Sequence, residues 1–492
     1  MASLSGLLVI PLLLHHLGVA AFGIWSLVTT TTSYLNLSSL GIGNVTTKLV
    51  AEDAGRDREA VIRVVNTNLC ALCGLAVVAA AIGIGISIAA PEIFRIPRGY
   101  ETDTVISFAI VAVGLAVSLP VGLSFGVLTG FQRYDLIGLC NATTVGAVGL
   151  ASVAVVLSGG GLIPLALATT LVGLASGVLP TALAVRLIPG IRISPKLVDR
   201  RSIRRTASLS VWYLIQNLAS VIGLDIDLVV VGIIIGVKGV ALYAIGAKIG
   251  QIADRGVGPL QQVFFPHVSA VSMEKDARVQ IAAVLIDGTR TVMAVALPLG
   301  LILAILAQPG IQAWVGPGYG VSGQVVAVFG GIAIFGSLTT ASWQIVSGMG
   351  RARLAALVGL TDALVNLGIS VALAKPLGPP GVALGTMISV AVINLPVILG
   401  ATTRLVGVPF KRLLRRAVLP HALPVAVTSG ALLLLEPTLH GSVAAVLGCA
   451  VGAFVLYEGV FLLWGAVPAE RSRLLGSLPG PLHRLIRRHV SR

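Results

Sequence analysis

Between Tyr213 and Arg255 the chain carries Asp225, Asp227, Lys248, Asp254 and Arg255, with Gln216, Asn217 and Gln251 beside them. The rest of this stretch is apolar and reads as two membrane-spanning helices joined by a tight turn at Val237-Lys238-Gly239. A charge near the centre of the hydrocarbon costs roughly 2.5–3.5 kcal/mol on insertion scales, so ionisable groups there face a protein interior or a water-filled cavity. Lys248, Gln251 and Arg255 fall at i, i+3 and i+7 and line one stripe of the second helix. Tyr213, Gln216, Ser220 and Asp227 line a stripe of the first. Asp225 lies roughly 200° from Asp227 around an ideal helix, so both face one cavity only if the helix bends. Gly223 permits that bend. Such a set can act in two ways. The charges can pair with each other as structural glue, or they can line a polar cavity inside a transporter.

Composition sets the class. Of 492 residues, 56% are hydrophobic and 11% charged, and mean hydropathy is +0.98. Soluble domains carry about 25% charged residues, so this is a polytopic, all-α membrane protein. No soluble domain of useful size fits between the apolar runs. The net charge of +15 reflects positively charged inner loops rather than nucleic-acid binding. Cys70, Cys73, Cys140 and Cys449 all lie in apolar runs and are expected to be small packing residues. No cleavable signal is visible, because Met1 leads straight into an apolar stretch without a basic start or a small-residue cleavage site.

About fourteen apolar runs are long enough to span a membrane: 2–17, 20–43, 65–90, 105–129, 136–158, 162–186, 209–236, 239–264, 291–308, 323–347, 354–375, 381–402, 417–435 and 442–465. The first is short by a turn or two. With a cytoplasmic N-terminus, nearly all Lys and Arg fall on the inner side, and the outer loops hold only Arg95, Arg98, Lys238 and Lys375. This asymmetry places both termini in the cytoplasm. The expected organisation is a six-helix lobe at 1–187, a basic linker at 188–208, a second six-helix lobe at 209–405, an extra helix pair at 406–465 and a basic tail at 466–492. Leu17-Gly18-Val19-Ala20-Ala21-Phe22-Gly23-Ile24-Trp25 resembles Ile235-Gly236-Val237-Lys238-Gly239-Val240-Ala241-Leu242-Tyr243, and Leu377-Gly378 repeats the theme. The lobes therefore read as a parallel repeat about an axis along the membrane normal.

The second span is rich in hydroxyls, from Ser26 and Thr29 to Thr32, and ends near Lys48. These hydroxyls either satisfy themselves on backbone carbonyls or form a cavity wall. Asn66, Asn68, Asp362, Asn366 and Asn394 read as inter-helix hydrogen bonds, and Glu458 is a lone acid in the last span. The tail after Ala469 contains the pieces of a basic amphipathic helix, interrupted at Pro479 and Pro481.

Six short motifs carry a family resemblance. They are Pro11-Leu12-Leu13-Leu14-His15-His16-Leu17-Gly18 with Phe22-Gly23-Ile24-Trp25, Leu40-Gly41-Ile42-Gly43 running to Lys48 and Ala51, Ile93-Phe94-Arg95-Ile96-Pro97, Gly130-Phe131-Gln132-Arg133-Tyr134-Asp135, Trp314-Val315-Gly316 with Tyr319, and Gly348-Met349-Gly350-Arg351. In this order the chain resembles the bacterial lipid-linked oligosaccharide (O-antigen and polysaccharide) flippases of the multidrug/oligosaccharidyl-lipid/polysaccharide exporter superfamily. The resemblance spans roughly 1–405. It implies two six-helix bundles around a central cavity and transport of an undecaprenyl-diphosphate-linked glycan across the bacterial inner membrane. Membrane lipids and a polysaccharide polymerase are the other partners it implies.

A diphosphate is anionic and strongly hydrated, so a carrier needs cations that replace its hydration. Lys48, Lys248, Arg255 and Arg290 are the candidates, with Gln216 and Gln251 beside them. Arg290 has a competing partner in Asp287 at i−3. Asp225 and Asp227 are candidates for a coupled proton or sodium ion, or for neutralising Lys248 in the empty state. The halves would rock about the cavity, opening inward to load and outward to release. No catalytic group, metal ligand set or cofactor is expected. Two rivals remain. A drug or cation antiporter would want acids and aromatics, yet aromatics are 5%. A polytopic glycan polymerase or ligase would want a long loop bearing catalytic groups, and the longest outer loops, 91–104 and 309–322, cluster none convincingly.

Overall fold

The computed structural model describes residues 2–39, 41–53, 56–200, 202–210, 226–272, 274, 276–439 and 441–466. Among them every regular element is a helix. In order these are α1 (Ala2–Ser33), α2 (Ile42–Asp53), α3 (Arg58–Ile93), α4 (Glu101–Gly130), α5 (Tyr134–Leu157), α6 (Leu162–Ser176), α7 (Val178–Leu187), α8 (Ile226–Ile234), α9 (Val237–Gly250), α10 (Ile252–Val271), α11 (Ala277–Ile305), α12 (Ala307–Val315), α13 (Gly320–Ser337), α14 (Thr340–Gly348), α15 (Ala352–Leu377), α16 (Pro379–Ser389), α17 (Gly400–Val406), α18 (Phe410–Leu413), α19 (Ala422–Leu435) and α20 (Val443–Val460). Wider π-type turns at Val390–Leu399, Leu414–Val418 and Phe461–Gly465 join or extend the last of these.

Eleven described helical runs are long and apolar enough to cross a membrane. Their outer faces carry bare apolar side chains: Leu434 is 80% exposed and Trp464 77%. In water so much exposed apolar surface would drive association, whereas lipid is its natural neighbour. The chain is a multi-pass membrane protein.

Eleven spans among the described residues stand beside the expected count of about fourteen for three local reasons. The first two runs are counted as one, although the non-helical Gly18 (φ 79°, ψ 168°) divides Ala2–Ser33 into two helices. The run at 209–236 overlaps 211–225, which lie outside the described residues. The run at 239–264 divides at Gln251 into α9 and α10. Helix starts follow local chemistry. Asp57 caps α3 by accepting from the Ala60 amide at 2.9 Å, and Ser442 does the same for α20 through Ala445. Pro91, Pro120 and Pro298 sit inside long helices, as neighbouring helices allow in membrane proteins.

The chain forms two compact units. The first contains Met1–Lys248 and Ala374–Val382, and the second Ile249–Leu373 and Ala383–Arg492. In the first unit, α2, α3 and α4 pack Ile42, Val61, Leu72, Leu123 and Val127 into one core. In the second, α11 is central. It buries Met293, Leu297 and Leu301 against Leu432, Tyr457 and Phe461 of α19, α20 and the last π turn. The basic linker is fastened to α3. Asn66 donates to the Arg192 carbonyl at 2.9 Å and accepts from the Ser194 amide at 2.8 Å. Asn68, fully buried, accepts from Thr206 and donates to Thr46 of α2, both at 2.8 Å. Arg205 adds ion pairs to Glu52 and Asp53. The expected inter-helix bonds at Asn66 and Asn68 are thus made largely to the linker.

Each of the six resemblance motifs contains a residue with positive φ: Gly18, Gly41, Arg95, Gln132, Gly316 and Gly350. The motifs mark places where the chain leaves a helix through the left-handed region, which glycine enters at little cost.

Candidate polar sites within the helices

Asp227 begins α8 and is 8% exposed. The helix ends at Ile234, and Gly236 (φ 97°) lets the chain turn straight into α9. Ile235 and Gly236 both donate to the Val231 carbonyl, and Val240 donates to Gly236, so the turn leaves few backbone groups bare. α9 thereby returns Tyr243 to Asp227. The Tyr243 hydroxyl donates to Asp227 Oδ2 at 2.7 Å, and both side chains are buried. Tyr243 occupies the place in the repeated turn that Trp25 holds after Gly18. Its tie to Asp227 escaped sequence reasoning, although the repeat had singled it out. Lys248 lies half-buried further along α9. Asp225 and Gln216 lie outside the described residues.

In the second unit, Gln251 stands at the N-terminal boundary of α10, half-buried, and its carbonyl accepts from the Arg255 amide at 3.2 Å. One side of α10 packs through Val257 onto Val292 and Ala296 of α11. Arg255 lies on the exposed side, with Asp254 exposed next to it.

Lys48 is half-exposed on α2, with its Nζ 4.0 Å from Glu52 one turn on. Because Arg205 claims the same carboxylate, Lys48 is loosely held and sits in a surface charge network. Such exposed pairs contribute little to stability. Three hydroxyls of α1 turn back on their own helix, Ser26 donating to Phe22, Thr29 to Trp25 and Ser26, and Thr32 to Val28, whereas the buried Thr31 hydroxyl makes no such bond. These bonds are the backbone-satisfied alternative for the polar second span.

Arg290 is 6% exposed on α11. Its guanidinium donates to the carbonyls of Arg416 and Gly465 and lies 5.6 Å from the Phe461 ring centroid. It therefore clamps the two ends of the C-terminal helix pair, a partnership that the Asp287 spacing did not suggest. Next to it His421 bonds Tyr457 at 2.9 Å and stacks on Phe461. Further along the unit, Asn366 of α15 accepts from Ser370 at 2.9 Å and from Thr386 of α16 at 3.2 Å, an inter-helix bond of the expected kind. Asp362 and Asn394 are partly or wholly buried nearby in sequence on the same helical runs.

Among the described residues no group of three His, Cys, Asp or Glu could hold a metal ion. The four cysteines are free thiols. Cys140 is buried as expected of a packing residue, whereas Cys70 and Cys73 are exposed on α3.

The fold is that of known transporters. The lipid II flippase MurJ in an inward closed conformation aligns with a TM-score of 0.71 at 13% identity, covering 94% of this chain and 96% of that one. An inward-facing multidrug resistance MATE family transporter of the MOP superfamily aligns with a TM-score of 0.70 at 14% identity, covering 83% of this chain and 95% of that one. A MOP superfamily transporter from Pyrococcus furiosus, described as having a binding pocket of reverse polarity, aligns at 0.56 with 15% identity, covering 82% and 95%. No curated protein sequence matches this chain. Residues 1–272, more than half of the chain, match the family described as polysaccharide biosynthesis protein, and the chain belongs to that family.

Proposed function

We propose that this protein is a flippase that carries a polyprenyl-diphosphate-linked oligosaccharide across the bacterial inner membrane, for assembly of a cell-surface polysaccharide such as O-antigen. The observation that carries the reading is the family match over residues 1–272. The Lys and Arg asymmetry supports cytoplasmic termini. Within this reading, Arg255 and Lys248 are the groups to grip the diphosphate, with Gln251 and Gln216 as neutral partners. Lys48 meets the headgroup near the inner surface. Arg290 serves the helix pair first, given its two carbonyl partners. Asp225 and Asp227 carry the coupled ion. Movement follows alternating access between inward-open and outward-open states. A polysaccharide polymerase would consume the delivered glycan.

The test is translocation in liposomes that contain the purified protein and a fluorescent polyprenyl-diphosphate oligosaccharide. Arg255→Ala should abolish exchange while leaving thermal stability unchanged, because Arg255 is exposed. Exchange of a small organic cation, with none of the lipid, would instead favour the antiporter reading.

A further inference from the structure

The second unit contains a cationic pocket at the foot of the C-terminal helix pair. It encloses about 670 Å³ and is lined by Arg290, Lys411, Arg412, Arg415 and Arg416, with Pro409 and Pro420 completing the wall. No acidic side chain lines it. Its making is local. Gly407 (φ 75°) ends α17, Pro409 starts α18 in extended backbone, and the π turn at Leu414–Val418 follows. Lys411 and Arg415, like Arg412 and Arg416, are four residues apart, so each pair shares a side of the turn. Arg290 holds the floor in place through the Arg416 and Gly465 carbonyls.

Some basic residues elsewhere pair with carboxylates: Arg63 with Glu59, Arg133 with Asp135, and Arg205 with Glu52. Among the described residues, Lys411, Arg412, Arg415 and Arg416 form no ion pair. Five cations around one concavity repel each other and focus a positive field, which an anion relieves. The pocket opens at the beginning of the span Phe410–Thr438, so it lies at the membrane surface. Phe410 (60% exposed) and Leu419 (55% exposed) stand bare beside it. Arginine forks suit phosphate oxygens, and the apolar flank suits acyl or prenyl chains.

We propose that this pocket binds the phosphate group of a membrane lipid, with the lipid tail lying along Phe410 and Leu419. The shared chemistry is a lipid-borne phosphate, whether from an anionic phospholipid or from a polyprenyl diphosphate. The proposal rests on the second unit alone and stands whether or not the protein is a flippase.

Native mass spectrometry of the full chain in neutral detergent, titrated with phosphatidylglycerol, with polyprenyl diphosphate and with inorganic pyrophosphate, tests it. The variants are Lys411→Gln/Arg412→Gln and Arg415→Gln/Arg416→Gln, with Arg200→Gln/Arg204→Gln in the exposed linker as the control for lost charge. Each pocket variant should lose about tenfold or more in affinity for lipid phosphate, as expected when clustered basic residues are removed at a membrane surface. The control should bind as the wild type does. The lipid whose adduct disappears identifies the source. Equal binding by the pocket variants and the control would overturn the site. Pyrophosphate binding as tightly as either lipid would overturn the lipid assignment. Arg290 is left intact because its loss would loosen the helix pair, and melting temperatures measured without lipid show whether each variant is folded. Translocation is a separate readout, so a wild-type protein that forms the adducts but exchanges no lipid would count against the flippase reading alone.

Discussion

Tyr243 returns to Asp227 sixteen residues earlier in the chain, and its hydroxyl donates to Asp227 Oδ2 at 2.7 Å in a site closed to solvent. The bond fixes the α8–α9 hairpin that Gly236 turns. Tyr243→Phe removes the donor and leaves the buried carboxyl short of a partner. It should lower unfolding stability by about 1–3 kcal/mol, read as a fall in melting temperature in nanodiscs. Asp227→Asn keeps an oxygen that accepts from Tyr243. It should melt close to the wild type yet lose ion-driven transport if Asp227 carries the coupled ion. Normal transport in Asp227→Asn would remove that role.

The linker fastening predicts a proteolysis phenotype. Asn68 alone joins Thr206 of the linker to Thr46 of α2. Asn68→Ala leaves the buried Thr206 hydroxyl without its acceptor, at about 1–3 kcal/mol, while the Thr46 hydroxyl keeps its bond to the Ile42 carbonyl. Trypsin should then cut at Arg200 or Arg204 faster than in the wild type, with Lys48 and α2 otherwise unchanged. Equal cleavage rates would mean that the Arg205 pairs with Glu52 and Asp53 and the Asn66 bonds to Arg192 and Ser194 hold the linker without Asn68.

The turn motifs make a prediction whose sign depends on the residue already present. Arg95 (φ 50°) and Gln132 (φ 58°) adopt backbone that suits glycine, at roughly 1–2 kcal/mol for a residue with a Cβ. Gln132→Gly should be neutral or stabilising, the unfolded chain's added freedom offsetting part of the gain. Gly236→Ala (φ 97°) should destabilise, by about 1 kcal/mol or more. Thermal melts of the two variants side by side check the opposite signs.

These positions also explain what the sequence made legible. The membrane class followed from composition, because lipid-facing helices need apolar residues on all sides. The six motifs were legible because each marks a turn whose geometry restricts residue choice. The pairing of Asp227 with Tyr243 was hidden, since it depends on how tightly the α8–α9 hairpin closes, and no periodicity encodes that. For Arg290 the sequence displayed only its neighbour Asp287 at i−3. Its carbonyl partners at Arg416 and Gly465 lie more than one hundred residues away in sequence, and only packing brings them near. Apolar length is visible in a sequence, but the breaks at Gly18 and Gln251 belong to local geometry.

Orientation is open to direct labelling. Single cysteines placed at Arg98 and at Arg204, in a version lacking the native thiols, should react differently with an impermeant maleimide in intact cells. The charge asymmetry predicts labelling at 98 only. Labelling at 204 in sealed cells would invert the topology and with it the side from which cargo loads.

The central claim is tested most directly by transbilayer exchange itself. Liposomes with and without the protein, holding a fluorescent polyprenyl-diphosphate oligosaccharide, are treated with an impermeant quencher, and the protected fraction is followed in time. The flippase account predicts that the protein brings the protected pool to the outer leaflet, and that a polyprenyl lipid without the diphosphate is not accelerated. Equal protection with and without the protein, across several glycans and imposed proton and sodium gradients, would contradict it.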